Sequence, residues 1–180
     1  MGLNVIAPPV EEPVPIEDIK ADLRVSHSDD DAQLTRLTGE AREWVEQRVQ
    51  RELALKTWQF TIDYFPEAEI VLPHRPINSV VSVKYDNADG FEETMPASDY
   101  YLDNASEPGW LFPVTAWPAT LDAVNAVRIT YMAGYGDPAL VPSALKSAVT
   151  LMVQELYDGP DGGRQARIND LMQNYYLMVA

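Results

Sequence analysis

The residues best placed by type to do chemistry are His27 and the run Asp29, Asp30 and Asp31. An imidazole beside three carboxylates could hold a divalent cation or serve acid–base chemistry such as a hydrolase uses. Adjacent acids at the start of a helix point in different directions, however, and carboxylates there already suit the positive end of the helix dipole. Asp86-Asn87-Ala88-Asp89-Gly90 has a passing likeness to a calcium loop, but its glycine comes one position early and no glutamate closes it. Gly134-x-Gly136 lacks the third glycine of a dinucleotide loop, and Tyr135 and Asp137 would crowd and repel a phosphate. Ser143 has no G-x-S-x-G elbow around it, and His27 and His74 are the only histidines available as bases. Trp44, Trp58, Trp110 and Trp117 could stack on sugars or bases, although tryptophans more often anchor packing. With no cysteine, disulfides, thiolate metal sites and thiol catalysis are excluded. No catalytic, metal or cofactor site is expected.

The elements that must position these residues follow from periodicity. Residues 1–15 carry Pro8, Pro9, Pro13 and Pro15 with no period and read as an extended arm. Ile16 to Val25 predict a short helix. Ser28 is placed to cap the next one, with Asp31 three residues on as in a capping box. Leu34, Leu37, Ala41, Trp44, Val45, Val49 and Leu53 continue a helical stripe to about residue 55. Gly39 inside it admits close helix contact, at a cost of roughly 1 kcal/mol relative to alanine.

From Trp58 the period drops to two. Trp58, Phe60, Ile62 and Tyr64 alternate with polar residues until Pro66. Ile70–Leu72, Val81–Tyr85, Phe91–Met95 after the Asp89-Gly90 turn, Tyr100–Leu102 and Trp110–Phe112 are further strand candidates. Val127, Ile129 and Tyr131 then alternate up to the turn at Gly134 and Gly136. Pro142 suits a first helical turn. Leu145, Val149, Met152, Val153 and Leu156 form one apolar helix face beyond it. Gly159-Pro160-Asp161-Gly162-Gly163 interrupts that helix. Ile168, Leu171, Met172, Tyr175 and Met178 resume helical spacing, with Arg164 and Arg167 at the end where the helix dipole disfavours them.

The expected fold is therefore α+β: a helical bundle, made of the long N-terminal helix and the C-terminal helices, into which a small antiparallel β region of about five to seven strands is inserted. Its divisions are an arm over 1–15 and a main domain over 16–157, with helices at 16–55 and 142–157 and a β region at 58–132. A hinge over 158–163, with Gly159, Gly162 and Gly163, and a last helix over 164–180 complete it.

The formal charge of −15 repels nucleic-acid phosphates and anionic membranes alike, so neither specific DNA binding nor membrane binding is expected. The chain shows neither a signal-peptide pattern nor an apolar run of membrane-spanning length, as a soluble protein would. Met1-Gly2 is not followed by Ser or Thr at position six, which argues against myristoylation.

Taken in order, the motifs form a known arrangement. Asp22-Leu23-Arg24-Val25 precedes the acidic run, Ala41-x-x-Trp44-Val45-Glu46 leads to Arg51-x-Leu53, and Leu72-Pro73-x-x-Pro76-Ile77-x-Ser79-Val80 precedes Val83-x-Tyr85-Asp86 and Gly90. Trp117-Pro118 then precedes Val127-Arg128-Ile129-x-Tyr131-x-Ala133-Gly134-Tyr135-Gly136, with Val141-Pro142 and Leu145-Lys146 behind. Over about residues 17–157 the chain resembles the head–tail connector (adaptor) family of tailed bacteriophages and gene-transfer particles. The resemblance implies a non-enzymatic virion protein, made in the bacterial cytoplasm and placed at the capsid–tail junction. It implies a dodecameric ring of this chain beneath the portal protein, with stopper or tail proteins below and double-stranded DNA passing through unbound. In that family the C-terminal segment embraces the portal, which would assign docking to Arg164, Arg167, Ile168, Leu171, Met172, Tyr175, Tyr176 and Met178. The Gly-Pro-Asp-Gly-Gly stretch departs from the family pattern, so this assignment rests on position. Competing readings are a stopper or tail-terminator ring, a glycan- or host-binding module using the tryptophans, and the hydrolase considered above.

Overall fold

The computed structural model describes residues 1–176. Among them are four α-helices and eight strands, and the chain divides into two compact units. One is built from Met1–Pro9 and Leu55–Gly134, the other from Val10–Ala54 and Tyr135 onward. The expectation of a bundle with a small β insert is thus corrected. The β unit holds all eight strands in two antiparallel sheets with a hydrophobic core of its own, and it takes in the start of the chain as well as its middle.

The strands of the β unit are β1 (Gly2–Ala7), β2 (Lys56–Ile62), β3 (Ile70–Leu72), β4 (Ile77–Asp86), β5 (Glu92–Thr94), β6 (Tyr100–Asp103), β7 (Gly109–Pro113) and β8 (Val127–Ala133). Five form one sheet in the order β1-β2-β8-β4-β5, and three form a second in the order β3-β7-β6. In β8 the alternation seen in the sequence becomes strict burial, with Val127, Ile129, Tyr131 and Ala133 inside and the residues between them half-exposed. Phe60, Val83, Leu72 and Leu111 fill the same core. Removing side chains of this size from water at roughly 25 cal/mol per Å² makes the β unit's core a major source of its stability. Gly109 in β7 is dictated by packing, because a Cβ there would lie 2.5 Å from Ile77 Cγ1.

Residues 2–7, within the stretch expected as an arm, form β1. It pairs with β2 from Gly2↔Thr61 to Ala7↔Thr57. No alternation announces it because β1 is exposed on both faces. A strand without a buried face carries no period-two signal.

The helical unit contains α1 (Ile16–Leu23), α2 (Asp31–Val49), α3 (Ser143–Asp158) and α4 (Gly162–Met172). Leu34, Leu37, Ala41, Val45 and Val49 of α2 pack with Leu145, Ala148, Val149, Met152 and Val153 of α3. Ile19 of α1 and Ile168 and Met172 of α4 complete this core. The long helix ends at Val49, six residues before the predicted limit near 55, and Gln50 after it takes a left-handed φ of 53°. The apolar stripe misleads there because Leu53 and Ala54 are buried without being helical. The Glu46 carboxylate accepts their backbone N–H groups, at 2.7 and 3.2 Å. Nor does Gly39 mediate close helix contact: the nearest atom to a Cβ built there is Glu12 Oε1, at 3.9 Å.

Candidate interaction surfaces

The acidic run at the start of α2 is structural. Ser28 does not cap the helix; Asp30 occupies the N-cap position, without a side-chain capping bond. The Asp30 carboxylate instead accepts a 2.7 Å hydrogen bond from the Tyr157 hydroxyl near the end of α3. Asp31 accepts one of 2.6 Å from Lys20 Nζ on α1. Hydrogen bonding to Asp30 raises the Tyr157 pKa, and the bond to Asp31 raises that of Lys20. The two acids therefore hold α2 to α3 and to α1. His27 approaches Asp30 only to 3.8 Å. Among the described residues no group of three or more His, Cys, Asp or Glu side chains is placed to hold a metal ion.

A second polar cluster fixes the inside of the helical unit. Arg42 is 3 % exposed; its Nε donates to Glu12 at 2.8 Å and its Nη1 to Glu46 at 2.6 Å. Burial by itself would lower the Arg42 pKa, but Glu46, Glu12 and Glu43 outweigh it and hold the guanidinium above its ordinary value. The buried Arg42–Glu46 pair at its centre has the fixed, water-excluded geometry of a structural pin.

The Asp86–Gly90 loop is a hairpin turn. Asn87 Oδ1 accepts the N–H groups of Asp89 and Phe91, both at 3.0 Å, as Asx turns do. Arg128 grips Asp86 through two nitrogens, at 2.6 and 3.0 Å, and reaches Glu92 at 3.0 Å. The hydrogen bond from Arg128 holds the Asp86 carboxyl below its ordinary range, and Lys84 does the same for Glu92.

The tryptophans form no open platform. Trp44 lies under the Arg48 guanidinium, Trp58 stacks on His74 with centroids 3.8 Å apart, and Trp117 stacks on Phe65 at 4.8 Å. Trp117 also donates to the Ala68 carbonyl, and Trp110 stands beside Phe112. All four are half-buried.

The turn glycines divide by role. Gly134 has a φ of 117° and donates its N–H to the Pro76 carbonyl at 2.8 Å, a conformation that glycine adopts at least cost. Gly136 is exposed and lies outside the positive-φ region. Pro142 is one residue outside α3, at the N-cap, where its carbonyl accepts from Leu145 and Lys146.

In the C-terminal segment, Gly159, at φ 99°, stands between α3 and α4, whereas Gly162 and Gly163 are the first residues of α4 itself. Asp161 caps α4 through a 3.0 Å bond from the Gly163 N–H. Arg164, without a local reason in the sequence, turns back to Glu155, to the Gly159 carbonyl and to Asp158, each at 3.4 Å. It thereby supplies positive charge where α3 ends, the favourable sign for a helix C-terminus. Ile168 and Met172 are fully buried, and Leu171 and Tyr175 are half-buried against the same core. Arg167 and Tyr176 are exposed. Arg167 borders a groove of about 590 Å³ with Asp18 and Asp22 of α1 and Lys146 and Gln154 of α3. Met178 lies outside the described residues.

Charge is spread over both units. The β unit has four basic against eleven acidic side chains, and the helical unit nine against seventeen, giving −7 and −8. In the β unit Lys56 and Arg75 are buried, and Lys84 and Arg128 are ion-paired to carboxylates. Its side chains consequently carry an excess of acids over bases.

Comparison with known proteins adds the following. Residues 14–107 match the family model described as Phage gp6-like head-tail connector protein. No curated protein sequence matches the chain. Among solved structures, "Neck of empty GTA particle computed with C6 symmetry" contains a chain that superimposes with a TM-score of 0.81 at 19% identity. "Virion of native gene transfer agent (GTA) particle" gives 0.78 at 19%, and "Neck of native GTA particle computed with C12 symmetry" gives 0.75 at 20%. Each likeness covers 100% of this chain and 97% of the other, so the whole fold is shared.

Proposed function

The chain belongs to the phage gp6-like head-tail connector family, and from that premise we propose that it forms a dodecameric ring beneath the portal of a tailed phage or phage-like particle. The ring extends the DNA channel and offers its far face to stopper or tail proteins. It acts by binding alone. The observation that carries this reading is the family match over 94 residues, which reaches into both units. Likeness over the full chain to proteins of a particle neck, one of them computed with twelvefold symmetry, supports the ring.

The physics is compatible. A closed ring repeats one head-to-tail contact around an axis, and linked contacts let modest individual affinities hold the portal firmly. An acidic surface of net charge −15, with the cations of the β unit buried or paired, gives DNA little counterion-release gain, so DNA slides without being trapped. Docking to the portal is assigned to the exposed part of the last segment, Arg167 and Tyr176, with Leu171 and Tyr175 at its margin. Ile168 and Met172 support it from inside.

Co-sedimentation of the full chain with the cognate portal ring tests the reading. Saturable binding, with twelve copies per portal, is expected. Failure to bind the portal together with binding to the tail tube would replace it with a tail-side ring.

A further inference from the structure

β1 is an edge strand of unusual composition. It is the outermost strand of the five-stranded sheet and pairs on its inner side only, with β2. It is firmly seated: Thr61 Oγ1 donates to the Gly2 carbonyl at 3.3 Å, and a Cβ on Gly2 would come within 2.7 Å of the same oxygen. Leu3, Val5 and Ile6 are nevertheless 37, 47 and 54 % exposed. An open strand edge with apolar side chains invites pairing with another chain, and proteins ordinarily blunt such edges with lysine, proline or inward-pointing charge. Here there is none along the strand. In a chain with 41 charged side chains, Met1 to Val10 has none at all, and the first proline comes at Pro8, after the strand has ended.

Electrostatics narrows the occupant. Two copies that each carry −15 repel across most of their surfaces. They can approach closely where one side contributes no negative charge and gains by burying apolar area. β1 meets both conditions.

We propose that β1 forms one half of the copy-to-copy contact in the ring, with its open edge and Leu3, Val5 and Ile6 covered by the neighbouring copy of this chain. The proposal rests on the ring reading above. Closed cyclic symmetry of high order requires different surfaces to meet. β1 of one copy therefore contacts a surface outside residues 1–10 of the next, and not another β1.

The absence of cysteine makes the test clean. Full-length Val5→Cys chain carrying a photoreactive maleimide is mixed as a minority with unlabelled chain, assembled on the portal, sedimented and then irradiated. The expected result is a covalent dimer of this chain whose captured peptide lies outside residues 1–10. Capture within residues 1–10, capture of the portal or another protein, or no adduct in sedimented particles would each overturn the proposal while leaving the connector reading intact. Loss of sedimentation by unlabelled wild-type chain would instead remove the connector reading, and the proposal with it. In a second experiment Val5→Lys, a change at a half-exposed side chain, keeps the wild-type unfolding midpoint but binds the portal roughly tenfold more weakly, as expected when an interface residue is lost. Val5→Lys binding at the wild-type level would overturn the proposal.

Discussion

The Tyr157 hydroxyl donates a 2.7 Å hydrogen bond to Asp30 across 127 residues of sequence. It ties the last turn of α3 to the start of α2 and uses the acid that would otherwise be the obvious metal or catalytic candidate.

Tyr157→Phe should lower the thermal midpoint while leaving far-UV circular dichroism unchanged, because one tertiary bond is lost and no helix is. Hydrogen bonding to Asp30 raises the Tyr157 pKa in the folded state. Its contribution is therefore complete below the ordinary tyrosine value of about 10 and is lost as the pH rises through the folded value. Urea titrations at neutral and strongly alkaline pH should show wild type and Tyr157→Phe converging at the alkaline end. A constant gap would rule out the clamp.

The Arg128 cluster predicts the opposite pH limb. Arg128 lowers the Asp86 pKa, so this stabilisation is complete above the unfolded value of about 4 and is lost as the pH falls through the lower folded value. Arg128→Gln should destabilise at neutral pH and flatten the acid branch of the stability curve, which denaturation between pH 3 and 7 would show.

Glu46 is 5 % exposed and receives Arg42, the Leu53 N–H and the Ala54 N–H. Glu46→Ala leaves a buried guanidinium short of a partner and frees the exit from α2, at a cost of about 3 kcal/mol. Equilibrium urea unfolding measures this, and a loss below about 1 kcal/mol would contradict the pin.

Two glycines should respond oppositely to alanine. Gly39 lies within α2 with no atom closer than 3.9 Å to a new Cβ, so Gly39→Ala should stabilise by roughly 0.5–1 kcal/mol. Gly109→Ala drives a methyl into Ile77 and should destabilise by about 2 kcal/mol. Ile77→Ala removes the clashing carbon, so the cost of Gly109→Ala should shrink in that background. Additive costs would show that sterics is not the cause.

The last segment divides by burial. Met172→Ala removes a fully buried side chain of the helical core and should cost about 2–5 kcal/mol. Arg167→Glu, at an exposed position, should leave stability within about 0.5 kcal/mol of wild type and weaken portal co-sedimentation. Stability loss in both variants would return the whole segment to a packing role.

What the sequence determined by itself was the core of several elements with one buried face. The stripe from Leu34 to Val49, the face from Leu145 to Val153 and the alternation from Val127 to Tyr131 all reappear as buried rows. Periodicity records burial, and these elements bury one side. The order of the weak motifs also carried the family resemblance, which the match over residues 14–107 independently supports. Other features were decided only in three dimensions. β1 buries neither face and has no period, so its pairing with β2 depends on a partner some fifty residues away. Leu53 and Ala54 look helical because they are apolar, but the Glu46 carboxylate holds their backbone outside the helix. Ser28 matched a cap by spacing, yet the helix begins later because Asp30 and Asp31 are held by Tyr157 and Lys20. The β region looked like an insert because its strands are short in sequence. Two sheets sharing one core, with the beginning of the chain added to their edge, make it a folding unit in its own right. Local pattern reports what a residue buries, and only the tertiary structure decides against which distant partner.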